Sequence, residues 1–277
     1  VGIMAGYSWE ERVNNDGFGL TVHNLFDDKL KWNQLSYAGT IDGMKGVESG
    51  TKETIRNISF YGRLSYSYDS RYMLQATIRR DGSSVFGDGH QWGYFPSISG
   101  AWNITEEKFM EGLKESLSLS NLKLRIGYGV SGNALGFGAY SAVATYGANG
   151  TIISIGGKDY PTLVSTKLAN PDLKWEKTGM LNIGLDYAFF NGRLNGSIEY
   201  YNKVTRDLIW NYPVTSFLYP FSTISANVGE ITNRGIEISI NAIPVQNKNF
   251  TWTTTLNLSH NKNKVNKLTN EKFSTAS

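Results

Sequence analysis

The residues that most often carry catalysis are sparse in this sequence. Its only histidines are His23, His90 and His260, and none has the spacing of a Ser/His/Asp triad or of an H-E-x-x-H metal motif. The chain has no cysteine, which excludes thiolate chemistry and disulfides. Adjacent carboxylates such as Asp27-Asp28 would point to opposite faces of a strand. No G-x-x-x-x-G-K-S/T phosphate loop occurs, and the sequence predicts neither an enzyme nor a bound cofactor.

One glycine-rich stretch carries residue types that bind calcium or zinc. It runs from Asp81 to Gly93 and contains Asp81, Asp88 and His90. The spacing matches no EF-hand loop, and a single histidine is a poor ligand set for zinc. Asp-Gly and Gly-Asp-Gly are turn-forming sequences. We therefore interpret the stretch as a structural turn and expect no metal site.

A second set of candidates is aromatic and falls in long stretches that lack a clear periodicity. Loops carry many of the binding functions of proteins, and rings exposed there can stack on sugars or grip a peptide. The same rings can equally form an interfacial aromatic belt or pack loop against loop. The candidate substrate-binding residues are Trp92, Trp210, Tyr212, Tyr219 and Phe221.

Strands must position these candidates, because period-two alternation dominates the sequence. Alternating segments place aromatic and aliphatic residues on one face and Arg, Gln, Ser, Thr or Asn on the other. About nine strands are predicted in this way, and their approximate positions are 1–10, 58–68, 71–81, 94–104, 121–131, 179–190, 193–203, 235–242 and 251–261. The one helical pattern spans Thr105 to Ser120, where Phe109, Leu113 and Leu117 form a seam expected to tuck under the sheet.

The composition fits a chain of strands and excludes several classes of protein. Aromatic residues make up 13%, and there are 30 glycines with 6 prolines. The net charge of +3 comes without a dense Lys/Arg block, so no nucleic-acid partner is expected. Mean hydropathy is −0.32, and no run approaches the roughly 20 apolar residues of a membrane helix. In a membrane β-barrel, apolar residues that face lipid alternate with polar residues that face the lumen, so a low mean hydropathy does not exclude this class.

The connections between the predicted strands alternate between short and long. The short ones are Asp69-Ser70, Asn191-Gly192 and Gln246 to Asn249, and the moderate connection from Thr105 to Ser120 falls in the same phase. The long ones are Glu11 to Asn57, Asp81 to Gly93, Gly132 to Pro171 and Thr205 to Gly229. An up-and-down meander sorts these to opposite ends, which is typical of outer-membrane barrels with short periplasmic turns and long extracellular loops. The fold class is therefore predicted as all-β, an antiparallel up-and-down transmembrane β-barrel segment whose apolar face meets lipid.

The open edges of such a sheet indicate that it is incomplete. An unpaired strand edge in lipid leaves backbone groups without hydrogen bonds, so the nine strands are expected to belong to a larger barrel. The alternative is that the apolar face packs on a second sheet, in a surface adhesin or carbohydrate-binding module that does not transport.

Several motifs, in a fixed order, resemble one family. The motifs are Arg79-Arg-Asp-Gly-Ser-Ser-Val-Phe-Gly87, Trp92-Gly-Tyr-Phe-Pro-Ser97 with Ala101-Trp102, Leu122-Lys-Leu-Arg-Ile-Gly-Tyr-Gly-Val-Ser-Gly-Asn133, Asn170-Pro-Asp-Leu-Lys-Trp-Glu176 and Asn233-Arg-Gly-Ile-Glu237. With these motifs the sequence resembles the SusC/RagA-type TonB-linked outer-membrane transporters of Bacteroidetes over about residues 60–261.

The resemblance implies an import machine with several parts. It implies a barrel of about 22 strands in the outer membrane of a Gram-negative bacterium, closed by an N-terminal plug domain. It also implies a SusD-like surface lipoprotein as partner, energy delivered by the TonB complex, and oligosaccharides or peptides as cargo. Residues 1–277 are then part of the barrel domain; the plug domain, TonB box, signal peptide and remaining strands are expected outside this sequence.

Charged residues on the polar face are the last candidates. In a barrel they would face the lumen and either line the transport path or form salt-bridge ladders that grip the plug; the structural role is favoured because lumen positions are polar whatever the cargo. The predicted lumen-lining residues are Arg63, Arg79, Lys123, Arg125, Asp186, Glu199 and Glu237.

Overall fold

The computed structural model describes residues 1–15, 52–134, 138–214 and 223–268. Its main element is a nine-stranded antiparallel sheet in the order β1-β2-β3-β4-β5-β8-β9-β10-β11, and β6 and β7 form a separate hairpin. The strands are β1 (Gly2–Asn15), β2 (Lys52–Tyr68), β3 (Tyr72–Ser83), β4 (Trp92–Asn103), β5 (Leu119–Asn133), β6 (Thr145–Ile155), β7 (Lys158–Lys167), β8 (Glu176–Phe189), β9 (Leu194–Pro213), β10 (Thr223–Gln246) and β11 (Thr251–Lys267).

The sheet has one apolar and one polar face, as predicted. On β3, Leu74 and Ile78 are 47% and 57% exposed, and Gln75 and Thr77 point to the opposite side. Strand pairing joins these positions into continuous rows. One apolar row consists of Ile3, Leu64, Ala76, Ile98, Tyr128 and Leu181. Most of the large side chains of this face remain exposed, which disfavours a sandwich in which they would pack on a second sheet.

The short connections lie together at one rim of the sheet, which confirms their predicted sorting. Asp69 and Ser70 both have positive φ, 50° and 53°, the backbone of a tight type I′ hairpin. Neighbouring connections are also joined by backbone hydrogen bonds of 2.7 Å from Asn103 to Arg71, from Phe190 to Ser118 and from Ile243 to Arg193. We call this edge the short-turn rim and the opposite edge the long-loop end.

At the short-turn rim, the Glu107 carboxylate contacts the polar groups of three other side chains. Glu107 accepts hydrogen bonds from the Trp102 indole nitrogen at 3.0 Å and from the Tyr72 hydroxyl, and Arg71 approaches it at 3.4 Å. The bond from Tyr72, followed by that from Trp102, holds the pKa of Glu107 below its usual range. The charge on Glu107 therefore stabilises this rim at neutral pH, and its contribution is lost as the pH falls through the lowered pKa.

The segment predicted as one helix is broken into three pieces. Two 3₁₀ turns, Ile104–Glu106 and Lys108–Met110, precede the short helix α1, Glu111–Leu117. The expectation that its apolar seam tucks under the sheet is wrong, because the buried residues of the segment are Thr105 and Met110. No residue of α1, which carries two of the three residues of the seam, is buried. The exposed members of the seam are Phe109, Leu113 and Leu117.

All four of the stretches predicted as long loops contain strand. β1 and β2 extend into the first, β3 and β4 into the second, and β9 and β10 into the fourth, and the β6–β7 hairpin lies within the third. Beyond a bilayer both faces of a strand meet water, so the hydrogen-bonded ladder continues after the hydrophobic alternation has stopped. Among the described residues no helix is long and apolar enough to cross a membrane.

Candidate functional site

In the described part of the chain, the polar face carries a compact charge cluster that joins three strands. Arg125 on β5 donates to both carboxylate oxygens of Asp186 on β8, at 2.8 and 2.7 Å. Its Nη2 also donates to Glu199 Oε1 on β9 at 2.7 Å. The residue opposite Arg125 is Gly184, where an added Cβ would lie 2.9 Å from the Arg125 Nη2 atom. The glycine leaves room for the guanidinium to bridge three strands, and we call this set the Arg125 cluster.

The structure places the other predicted lumen residues on the same face without joining them to this cluster. Arg79 instead pairs with Asp81 at 2.7 Å and donates to Ser59 at 2.9 Å. Lys123 is the strand partner of Asp186, and Glu237 is that of Glu199. Arg63 forms none of the ion pairs found in the described ranges. Three of the seven predicted residues are therefore brought into contact, and their function in transport stays a prediction.

The long-loop end is held by a packed core that period-two alternation does not predict. Trp175, 7% exposed, packs against Phe86 with ring centroids 4.9 Å apart and against Phe95 at 5.4 Å. Its indole nitrogen donates to the Gln91 carbonyl at 3.0 Å. Buried residues from several connections complete this loop-end cluster, which consists of Ile55, Val85, Phe86, Phe95, Ala139, Ala142, Leu173 and Trp175.

Hydrogen bonds tie the segment around Trp175 to β9 and β10. Asn227 donates to the carbonyls of Lys174 and Asp207 at 2.8 Å each, and its Oδ1 accepts from the Lys174 amide at 3.0 Å. Asn170 donates to the Ser225 carbonyl at 2.7 Å. These bonds satisfy backbone groups that would otherwise be unpaired in an irregular segment, and they fix the segment against the wall.

Glu176 extends the same network from the start of β8. Its buried carboxylate accepts one hydrogen bond from the Asn133 side chain and one from the Ile209 amide, both at 2.8 Å. A buried carboxylate is costly unless it is hydrogen-bonded, and here each oxygen has a donor. The signal in the sequence for these contacts is the Asn170–Glu176 motif, whose resemblance to a known family does not by itself predict them.

The predicted aromatic candidates are distributed in different environments. Trp92 lies on the apolar face, stacked on Phe60 with centroids 6.4 Å apart, and the Arg80 guanidinium lies 4.2 Å from its ring. This placement favours the aromatic-belt alternative for Trp92. Trp210 is 65% exposed on the extended part of β9, and Tyr212 is partly buried two residues further. Tyr219 and Phe221 lie outside the described residues.

Two of the three residues considered as metal ligands, Asp81 and His90, have other contacts. The Asp81 carboxylate receives Arg79, and His90 Nε2 lies 3.9 Å from a carboxylate oxygen of Asp172. In the described parts of the chain no group of three or more His, Asp or Glu side chains is close enough to hold a metal ion.

Comparison with known proteins identifies the fold and its relatives. The family model described as "TonB dependent receptor-like, beta-barrel" matches residues 4–275. TonB-dependent receptor P39 of Formosa agariphila is 42% identical over 224 residues, which is 80% of this chain and 21% of the relative. TonB-dependent receptor SusC of Bacteroides thetaiotaomicron is 38% identical over 220 residues, 79% of this chain and 21% of the relative.

Solved structures agree with these sequence relationships. The RagAB peptide importer in its closed-closed state superposes with a TM-score of 0.77 at 27% identity, over 97% of this chain and 28% of the matched chain. The ferric enterobactin receptor of Pseudomonas aeruginosa is 16% identical with a TM-score of 0.56, a likeness of fold alone. The chain spans about a quarter of the length of the proteins it matches.

Proposed function

Because this chain belongs to the TonB dependent receptor-like β-barrel family, we propose that the whole protein is an outer-membrane importer driven through TonB. The observation that carries the proposal is the two-faced sheet, whose apolar side chains are exposed on one side and whose Arg125 cluster lies on the other. Lipid outside and a wet lumen inside are the environments that satisfy both faces. The likeness to SusC and to a peptide importer supports oligosaccharides or peptides as the cargo class.

We propose that a SusD-like lipoprotein is the surface partner, which the relationship to SusC and RagAB supports. The β6–β7 hairpin offers a contact surface, because it projects from the long-loop end and exposes apolar side chains of both strands. Exposed apolar groups of this kind are typical of protein interfaces. They include Tyr146, Ile152, Ile153, Ile155, Tyr160 and Leu163.

For the charged residues of the polar face we propose a structural role. The Arg125 cluster cross-links three strands of the lumen wall, and Arg79 links β3 to β2 through Ser59. Arg63, Lys123 and Glu237 remain available to contact the plug domain that fills the lumen in this family. Charged groups that meet across such an interface fix its register.

Uptake by cells that express the full-length receptor together with its lipoprotein tests the function. We expect import of a labelled oligosaccharide or peptide pool above the diffusive background, and we expect deletion of tonB to return it to that background. A receptor that assembles in the outer membrane yet imports equally with and without TonB would contradict the proposal.

The candidate aromatic residues other than Trp92 are proposed substrate contacts, and a substitution at Trp210 tests them. Trp210→Ala should weaken uptake several-fold while the receptor still assembles, because a stacked ring contributes about 0.5–1.5 kcal/mol beyond its buried area. Trp92→Ala is the matched control, because Trp92 lies on the apolar face against Phe60, and it should leave uptake unchanged. Unchanged uptake in the Trp210 variant would return that residue to the belt or to loop packing.

A further inference from the structure

The segment that connects β4 to β5 leaves three large apolar side chains uncovered. Phe109, Leu113 and Leu117 are 64%, 47% and 53% exposed and recur at every fourth position. The open edges of the sheet do not cause this exposure, because β4 and β5 are the fourth and fifth of nine strands. Their strand neighbours on both sides are in place.

The hydrogen bonds of Glu107 show on which side of the sheet this segment lies. Tyr72 and Trp102 are strand partners on the apolar face, in the same alternation as Leu74 and Ile98. Both donate their polar tips to the Glu107 carboxylate. The segment therefore begins on the apolar side of the sheet, directly below the aromatic rings of the short-turn rim.

An aromatic side chain with an apolar body and a polar tip typically lies at the boundary between hydrocarbon and water. Tyr72 and Trp102 mark that boundary here, and their polar tips point at the segment. The exposed apolar seam is thus continuous with the surface of the barrel that contacts lipid. A helix of 7 residues in this position is too short to span a bilayer and can only lie along its surface.

We propose that the segment from residue 104 to 118 is an interfacial anchor, which inserts Phe109, Leu113 and Leu117 into the periplasmic leaflet of the outer membrane. Its occupant is the phospholipid of that leaflet, bound through the acyl chains near the headgroups. The anchor would hold the short-turn rim at a fixed depth, next to the Asp69-Ser70 and Asn191 turns.

The charges of the segment indicate that apolar insertion, and not attraction to anionic lipid, drives this contact. Lys114 approaches Glu106 at 4.0 Å, and Glu107 is engaged by Arg71. The exposed carboxylates Glu111 and Glu115 outnumber the remaining exposed cation of the segment, Lys108. An amphipathic helix that binds anionic headgroups is instead rich in Lys and Arg on its polar face. Membrane contact should therefore depend little on the charge of the lipid.

Site-directed spin labelling of the full-length receptor tests the anchor. The described chain has no cysteine, so Leu113→Cys or Leu117→Cys adds a single attachment point, in a background freed of any cysteine elsewhere in the protein. Glu115→Cys is the matched control, because it is an exposed position on the opposite side of the same helix. Each protein is reconstituted into phosphatidylcholine vesicles, and the collisions of the nitroxide with oxygen and with a water-soluble nickel chelate are compared.

We expect labels at positions 113 and 117 to be several-fold less accessible to the nickel chelate than the label at 115, and more accessible to oxygen. Replacing part of the phosphatidylcholine by phosphatidylglycerol should leave this difference unchanged. Equal nickel accessibility at 113 and 115 would overturn the proposal, because the seam would then face the periplasm. A difference that appears only with phosphatidylglycerol would overturn the apolar mechanism.

Discussion

Replacing Trp175 with alanine is expected to loosen the long-loop end while leaving the strands of the barrel wall paired. Truncation of a buried tryptophan costs about 3–5 kcal/mol, because transfer energy is lost and a cavity remains. Trp175 also anchors the backbone at Gln91 through its indole nitrogen. Amide exchange in the connections around residues 84–91 and 168–175 should accelerate by about two to three orders of magnitude, since about 1.4 kcal/mol corresponds to a factor of ten.

Two variants control this experiment. Trp210→Ala removes the same side chain from a position that is 65% exposed, so exchange at the loop end should change little. Trp175→Phe keeps much of the packing and loses the hydrogen bond to Gln91, at a cost of about 1 kcal/mol. If Trp175→Ala left loop exchange at the wild-type rate, the loop-end cluster would not be what positions these connections.

Replacing Arg125 with methionine is the second large change, and we expect it to destabilise the wall by about 2 kcal/mol. The substitution leaves Asp186 and Glu199 without their shared cation, and both carboxylates were within 2.7 Å of it. These side chains are about one-third exposed, so the loss should be smaller than for a fully buried pair. Thermal unfolding of the purified full-length receptor in detergent measures the effect.

If the ion pairs of Arg125 cause this loss of stability, two control variants should give defined results in the same thermal unfolding measurement. Arg63→Met removes another cation from the same face that forms no ion pair in the described residues, and it should shift unfolding by no more than about 0.5 kcal/mol. Adding Asp186→Asn and Glu199→Gln to Arg125→Met should recover most of the lost stability, because no unpaired charge remains. Equal destabilisation by the Arg63 and Arg125 variants would mean that the pairing contributes nothing specific.

Much of the barrel wall could be predicted from the sequence, because the side chains of a strand that crosses a bilayer face lipid and lumen alternately. The sequence of such a strand therefore alternates between apolar and polar residues. The rows through Leu64, Ile98 and Tyr128 follow from that alternation alone. The turn at Asn191-Gly192 was predictable because its left-handed backbone, with φ of 53° and 83°, favours these residue types. Where strands leave the bilayer the alternation ends, and the outer parts of β9 and β10 were therefore mistaken for loop.

The contacts of the candidate site could not be predicted, because they depend on which residues of neighbouring strands are paired. Periodicity along one strand does not give this register. Alternation placed Arg125, Asp186 and Glu199 on one face, but only the pairing of three strands brings them within hydrogen-bonding distance. Trp175 lies outside any alternating segment, between a turn and the start of β8. Its burial depends on Phe86 and Phe95, which come from other connections and strands far away in sequence.

The loop-end cluster and the Arg125 cluster stabilise different parts of the proposed importer. The first packs against Ile209, the neighbour of the proposed substrate contact Trp210, and the second links three strands of the lumen wall. Binding residues held by a rigid scaffold lose less entropy on contact with cargo. The wall and its loops would then form a rigid frame around the proposed plug domain.

Energy-dependent uptake tests the central claim most directly. Cells with the full-length receptor and its lipoprotein are given labelled cargo before and after a protonophore collapses the proton-motive force, and the amount inside the outer membrane is compared. If the protein is a TonB-driven importer, accumulation should exceed the external concentration before the collapse and fall to equilibrium after it. Accumulation that never exceeds equilibrium in energised cells with a correctly assembled receptor would contradict the account.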